Sequence, residues 1–114
     1  MKEIRMNLTF EVGQLWACGS KSSNKQHEAL VINVEKIDSE SIIGVAIVND
    51  DTEHSPFMPF SYEAFSDSIV ELRRSNLDIS DFVAGYLYWK KLYIEGEAGV
   101  YTITVDNVMN LENH

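Results

Sequence analysis

Cysteine is almost missing from this chain. Cys18 is the only one in 114 residues, so no intramolecular disulfide can form, and a reducing, cytoplasmic setting is expected. Proline occurs twice, both times in the polar stretch 49–59. No apolar run approaches the roughly 20 residues that cross a bilayer, so no membrane partner is expected. The first eight residues carry charges but no apolar core of a secretory signal. Gly-x-Gly-x-x-Gly and P-loop patterns are absent, which leaves nucleotide cofactors without a fingerprint. Basic residues are scarce, nine Lys and Arg against eighteen Asp and Glu, for a net charge of −9. Between Lys36 and Arg73 there is no Lys or Arg, while Asp38, Glu40, Asp50, Asp51, Glu53, Glu63, Asp67 and Glu71 all fall there. Such a field repels phosphate backbones, which disfavours nucleic acid, and attracts basic proteins.

What the chain has in quantity is aromatic and apolar side chains. The stretch from Ser80 to Gly99 holds five of the twelve aromatics. At 100° per residue, Phe82, Tyr86, Trp89 and Tyr93 share one helix line, with Val83, Leu87 and Ile94 on one flank and Leu92 on the other. An apolar arc this wide exceeds what one sheet face covers. The helix is therefore expected to be buried on two sides, or on one side and in a partner.

The chain reads as one domain, 1–114. Leu8–Phe10 and Leu15–Cys18 read as short strands about a bend at Gly13. Residues 19–28 are polar and rich in turn formers, and read as a loop. Residues 29–37 alternate imperfectly, with Leu30, Ile32 and Val34 on one face and Val31, Asn33, Glu35 and Ile37 on the other, and read as a half-buried strand. The segment 38–41 supplies a hairpin turn, and 42–48, all apolar or Gly, a strand covered on both faces, with Gly44 marking the close approach of a helix. Ser61 has the attributes of an N-cap, with a Phe60–Phe65 staple, and the spacing of Phe65, Ile69 and Leu72 predicts a helix over 61–75. A second helix is predicted over 80–95, capped by Ser80 and ended by Gly96 in the left-handed conformation, with Gly85 open to another backbone. Val100–Val105 alternates as a last strand, followed by a short helix capped by Asp106 through Val108, Met109 and Leu111. The expected architecture is α+β, a twisted antiparallel sheet or small open β-barrel. A helical pair packs on it and the last strand returns to the sheet.

Catalytic chemistry is hard to find. Cys18 with His27 or His54 as base needs an electropositive, accessible setting, yet Cys18 follows Leu15-Trp16-Ala17 in a strand, where a buried thiol is expected. The cluster Asp50-Asp51-Thr52-Glu53-His54 lacks calcium-loop and zinc spacings, so no metal or other cofactor is expected.

Four short motifs carry a family likeness: Gly13-Gln-Leu-Trp16, Met58-Pro-Phe-Ser61, Gly85-Tyr-Leu-Tyr-Trp89 and Gly96-Glu-Ala-Gly-Val-Tyr-Thr102. In this order, over residues 13–105, the chain resembles a group of small bacterial proteins without an assigned function. The resemblance implies a stand-alone, single-domain bacterial protein and brings no activity or catalytic residue. Members of that group often carry Arg after the Trp, where this chain has Ala17-Cys18-Gly19.

The expectation is a non-catalytic module that binds a basic protein through Asp50, Asp51, Glu53, Glu63, Asp67 and Glu71, immunity- or inhibitor-like in being small, acidic and free of catalytic motifs. The alternative is a small ligand-binding protein or hydrolase whose pocket is lined by Trp16, Tyr86 and Trp89. Tyr88 and Leu92, at the edge of the aromatic arc, are the expected contacts of a homodimer.

Overall fold

The structure, a computed structural model, describes residues 9–19, 27–48 and 57–112. Five strands, β1 (Leu15–Cys18), β2 (His27–Ile37), β3 (Glu40–Ile47), β4 (Met58–Ser61) and β5 (Ile69–Arg74), form one sheet in the order β4-β3-β2-β1-β5. All neighbours are antiparallel, and the sheet is open. Among the described residues, three helices, α1 (Tyr62–Ser66), α2 (Val83–Ile94) and α3 (Val105–Glu112), complete an α+β fold, with a 3-10 turn at Ser80–Phe82 leading into α2. None of the described helices is long and apolar enough to cross a membrane.

Local chemistry explains the hairpin. Asp38 and Ser39 both have positive φ, 51° and 73°, as a two-residue type I′ turn requires, and Ile37 pairs with Glu40 across it. β3 follows with Ile42–Ile47 all buried, as expected for a strand covered on both faces. At Gly44 the close neighbours are the Asn33 amide and the Phe57 ring, which a Cβ would overlap, rather than a helix. Gly13, at φ 92°, donates its N–H to Val31 O and accepts from Leu77 N, and a Cβ would stand 2.9 Å from Leu77 O.

Strand alternation sorts the core into two faces. Trp16, Cys18, Val31, Val45, Phe60 and Phe65 belong to one cluster, closed by Phe10, α1 and the Val105, Val108 and Met109 side chains of α3. Leu15, Leu30, Ile32 and Ala46 belong to the other, covered by Phe57, Leu77, Ile79, Phe82 and Tyr86. A bulge between Val31 and Asn33 makes Ile32 an extra residue. Parity therefore reverses, and Asn33 and Glu35 face α2 while Val34 and Lys36 face the other way. The simple alternation read from the sequence misses this.

Four sequence-based boundaries are corrected. The predicted helix over 61–75 ends at Ser66. Ser61 Oγ accepts from Ala64 N as expected, and Phe60 and Phe65 stack at 6.2 Å. Ser68 then donates its hydroxyl to Ala64 O and accepts from Val105 N. The chain turns into β5 because β1, buried at all four positions, needs a second hydrogen-bonding neighbour. The two predicted helices are thus no pair: α1 and α2 pack on opposite faces of the sheet. The predicted last strand reduces to one parallel bridge, Phe60 with Tyr101, because Val105 begins α3, whose N-terminus rests on Thr104 rather than Asp106. The predicted strand 8–10 is absent at Thr9 and Phe10, and Leu8 lies outside the described residues. The predicted loop also gives up His27 and Glu28, which open β2.

At α2, Ser80 is not the acceptor the sequence suggested. Its N–H and hydroxyl both donate to Asp78, 3.0 and 3.1 Å away, and these bonds hold the Asp78 carboxyl below its ordinary pKa. Gly96 ends α2 at φ 82°, with Glu97 N donating to Leu92 O, as in a Schellman motif.

Candidate functional site

The helix α2 rests on the sheet through one line of residues. Phe57, just before β4, tilts against Tyr86 at 5.6 Å and Trp89 at 5.4 Å, and Trp89 packs on Tyr93 at 4.9 Å. Trp89 is the only buried residue of α2. Its indole N–H donates to Gly99 O at 3.0 Å, which ties the helix to the segment 98–101. Between them lies a cleft of about 390 Å³, lined by Phe57, Pro59, Trp89 and residues 98–101. It sits at the β4 edge, where Tyr101 donates its N–H to Pro59 O and stacks on Phe60 at 5.3 Å.

Beside Phe57, on the same face, the bulge of β2 presents two polar groups to α2. The Glu35 carboxylate accepts from Asn33 Nδ2 at 2.9 Å and from the Tyr86 hydroxyl, and it pairs with Lys90 Nζ at 3.0 Å. Partial burial pushes the Glu35 carboxyl up, but the bonds from Tyr86, Lys90 and Asn33 and the Lys90 charge outweigh it and hold the pKa below the ordinary value. Burial and the bond to Glu35 raise Tyr86, and the bond to Glu35 raises Lys90. Asn33 is 6 % exposed, and its Oδ1, packed against the Phe57 ring, has no hydrogen-bond partner among the described residues.

The residues predicted from sequence are distributed unevenly around this arrangement. Tyr86 and Trp89 are in it, on either side of Phe57. Trp16 is not, because it is buried in the opposite cluster with its indole N–H on Gln14 Oε1; the three do not line one pocket. Tyr88 is 66 % exposed and Leu92 is half-buried. Leu87 and Ile94, counted by the sequence as part of the buried arc, are exposed at 55 % and 66 %. Gly85 is exposed, and a Cβ there would meet only Phe57.

Glu63 and Asp67 are exposed at the two ends of α1. The register of β3 with β4 sets Glu63 at the end of the sheet that carries the Asp38–Ser39 turn. Glu71 is exposed on β5 and bonded to Arg73, which also reaches Glu28 at 3.0 Å. It therefore lies on a different element from Glu63 and Asp67. Asp50, Asp51, Glu53 and His54 lie outside the described residues.

Cys18 is fully buried, and burial pushes its thiol up to about 12. Although the register sets His27 directly across from it, a thiol this far from ionisation does not supply a thiolate at neutral pH. Among the described residues, no three His, Cys, Asp or Glu side chains converge as metal ligands would. Sequence reasoning missed Phe57 and Tyr101 at the Trp89 cleft, and Asn33, Glu35 and Lys90 beside Phe57 and Tyr86. Of these, only Lys90, four residues after Tyr86, carried a local signal. Compared with known proteins, the chain matches no family model, no curated protein and no solved structure, so the likeness in the sequence rests on its four motifs alone.

Proposed function

We propose that this protein is a non-catalytic binding module whose partner is a basic protein, met through the acidic 38–71 region. The observation that carries this reading is the exposure of Asp38, Glu40, Glu63 and Asp67 in a stretch without any Lys or Arg between Lys36 and Arg73. The sealed, un-ionised Cys18 supports the non-catalytic part. A bacterial, cytoplasmic, immunity- or inhibitor-like role belongs to the same proposal, on the strength of size, charge and the single cysteine. Association steered by charge has an on-rate that falls as salt shortens the Debye length to about 8 Å at 0.15 M. Capture with the immobilised protein should recover a basic protein whose on-rate falls with salt, and falls again with the double variant Glu63→Lys and Asp67→Lys. An unchanged on-rate in the double variant rejects the acidic surface.

A second association is favoured by a separate observation. Leu87, Tyr88 and Ile94 stand exposed with Lys91 on the outward side of α2. Exposed apolar groups gathered on one helix face commonly mark an interface. The proposal is a homodimer in which α2 pairs with its copy, Tyr88 near the axis and Leu92 at the flank.

A further inference from the structure

We infer that the slot holding the Phe57 ring is a binding site for an aromatic ring that bears an O–H or N–H at its edge, a phenol in the simplest case, with Phe57 as its resident plug. This goes beyond the proposed function and does not depend on it. The register sets Asn33 opposite Gly44, just past the β2 bulge. A Cβ at Gly44 would stand 1.9 Å from Asn33 Oδ1 and 2.1 Å from Phe57 Cζ, so the amide oxygen and the ring tip meet over bare backbone. A glycine inside a strand often marks such a close approach. At the root of the ring, a Cβ at Gly85 would meet only Phe57 Cβ, at 3.5 Å. Tyr86 and Trp89 tilt against the ring from α2, at 5.6 and 5.4 Å.

The slot offers more than Phe57 uses. Asn33 is 6 % exposed, and its Nδ2 is given to Glu35 Oε1 at 2.9 Å, which fixes Oδ1 toward the ring. Oδ1 has no hydrogen-bond partner among the described residues, and a phenyl ring has no donor to give it. A buried acceptor without a donor lowers stability. A hydroxyl or N–H on the edge of a ring seated here would supply that donor, whereas an anion would meet Oδ1 with the wrong sign. The Phe57 ring also has a place to go. Phe57 is only half-buried, and it lines the neighbouring cleft of about 390 Å³ that runs along Pro59 and residues 98–101. Rotation of the ring into that cleft uncovers Asn33 Oδ1, Gly44 and the sides of Tyr86 and Trp89 that it now covers.

The test is a titration of the isotope-labelled protein with phenol and with toluene, in which a methyl group of similar size replaces the hydroxyl. Phenol should move the Trp89 indole N–H and the Gly44 and Gly85 amides saturably and leave the Trp16 indole, buried in the opposite cluster, in place. It should bind about fivefold tighter than toluene, as one hydrogen bond implies. Phe57→Ala removes the plug and should tighten phenol about tenfold, since the open slot no longer has to be populated first. Asn33→Ala should erase the preference for phenol, with the Trp16 signal reporting an intact fold in both variants. N-acetyl-tyrosine amide distinguishes the sources of the ring. Binding as tight as that of phenol assigns it to a protein chain, weaker binding to a free small molecule, and both uphold the slot. Toluene binding as tightly as phenol makes the slot a plain apolar cavity and overturns the proposal, as does the absence of saturable shifts in the wild type. Phenol bound by Phe57→Ala alone overturns it too, because Phe57 is then core. If Phe57→Ala does not fold, the wild-type comparison of phenol with toluene decides by itself.

Discussion

On one face of the sheet, Phe60, Phe65, Val105 and Val108 are sealed beneath α1 and α3; on the other, twelve residues of α2 bury Trp89 alone. The first face is closed by interlocking rings, with Phe65 5.0 Å from Phe10 and 6.2 Å from Phe60. Ser68, a buried polar residue just past the end of α1, both donates and accepts. The second face is closed by a few rings and one carboxylate, and it leaves Leu87, Tyr88 and Ile94 to solvent. Burial of apolar area dominates stability, at about 25 cal/mol per Å², so the first face holds the fold together. The second, lightly attached, is where a binding surface can be changed without unfolding the molecule. Local opening should follow the same division, with the α2 amides exchanging at lower free energy than those of β2 and β3.

The largest effect that sharpens this comparison comes from Phe65→Ala. Phe65 is fully buried against the rings of Phe10 and Phe60, and truncation leaves a cavity that rigid surroundings cannot fill. Denaturant unfolding should show a loss of about 3–5 kcal/mol. A loss under about 1 kcal/mol would mean that this face is not the closed one.

The two faces were also unequally legible in the sequence. The hairpin at Asp38, the double-sided β3, the Ser61 cap, the Gly96 terminus and the burial of Cys18 all follow from local chemistry, and all stand in the structure. Strand β5 does not follow, because Phe65, Ile69 and Leu72 satisfy a helical period. What makes the chain extend is the distant need of β1 for a partner. Val105 reads equally well as the end of a strand or the start of a helix until Thr104 and Ser68 are seen to bind its first turn. On the second face, the decisive event is the single extra residue Ile32. It carries Asn33 and Glu35 to the α2 side, and nothing in a period-two pattern announces it. The cleft brings Phe57, Trp89 and Tyr101 together from three separate segments, so only the fold could assemble it.

A smaller effect is expected where α2 meets β2. The folded pKa of Glu35 lies below its ordinary value of 4.5. Its carboxylate therefore adds stability that is fully present above that value and is lost as pH falls through the folded pKa. Because Glu35 is only partly buried and its partner Lys90 is more than a third exposed, solvent screening keeps the contribution to about 1 kcal/mol or less. Comparing the wild type with Glu35→Gln isolates it from other carboxylates. The wild type should be the more stable at pH 7, and the gap should close between pH 4.5 and more acidic solution. A gap that stays constant from pH 7 to pH 3 would show that the carboxylate charge does not hold α2 to the sheet.

The smallest effect on stability, and the most informative about α2, belongs to its outward side. Leu87 and Tyr88 make little of their area available to the fold, at 55 % and 66 % exposure. Replacing either with Glu in an isolated chain should change unfolding free energy by about 0.5 kcal/mol or less. If α2 pairs with its copy in a symmetric dimer, the same substitutions place like charges on both sides of the axis and desolvate them, and association fails while the fold persists. Sedimentation at tens of micromolar should then report a dimer for the wild type and a monomer of unchanged secondary structure for Leu87→Glu and Tyr88→Glu. A wild type that sediments as a monomer removes the dimer. The near-neutral stability change would survive, because it depends only on how little of α2 the second face covers.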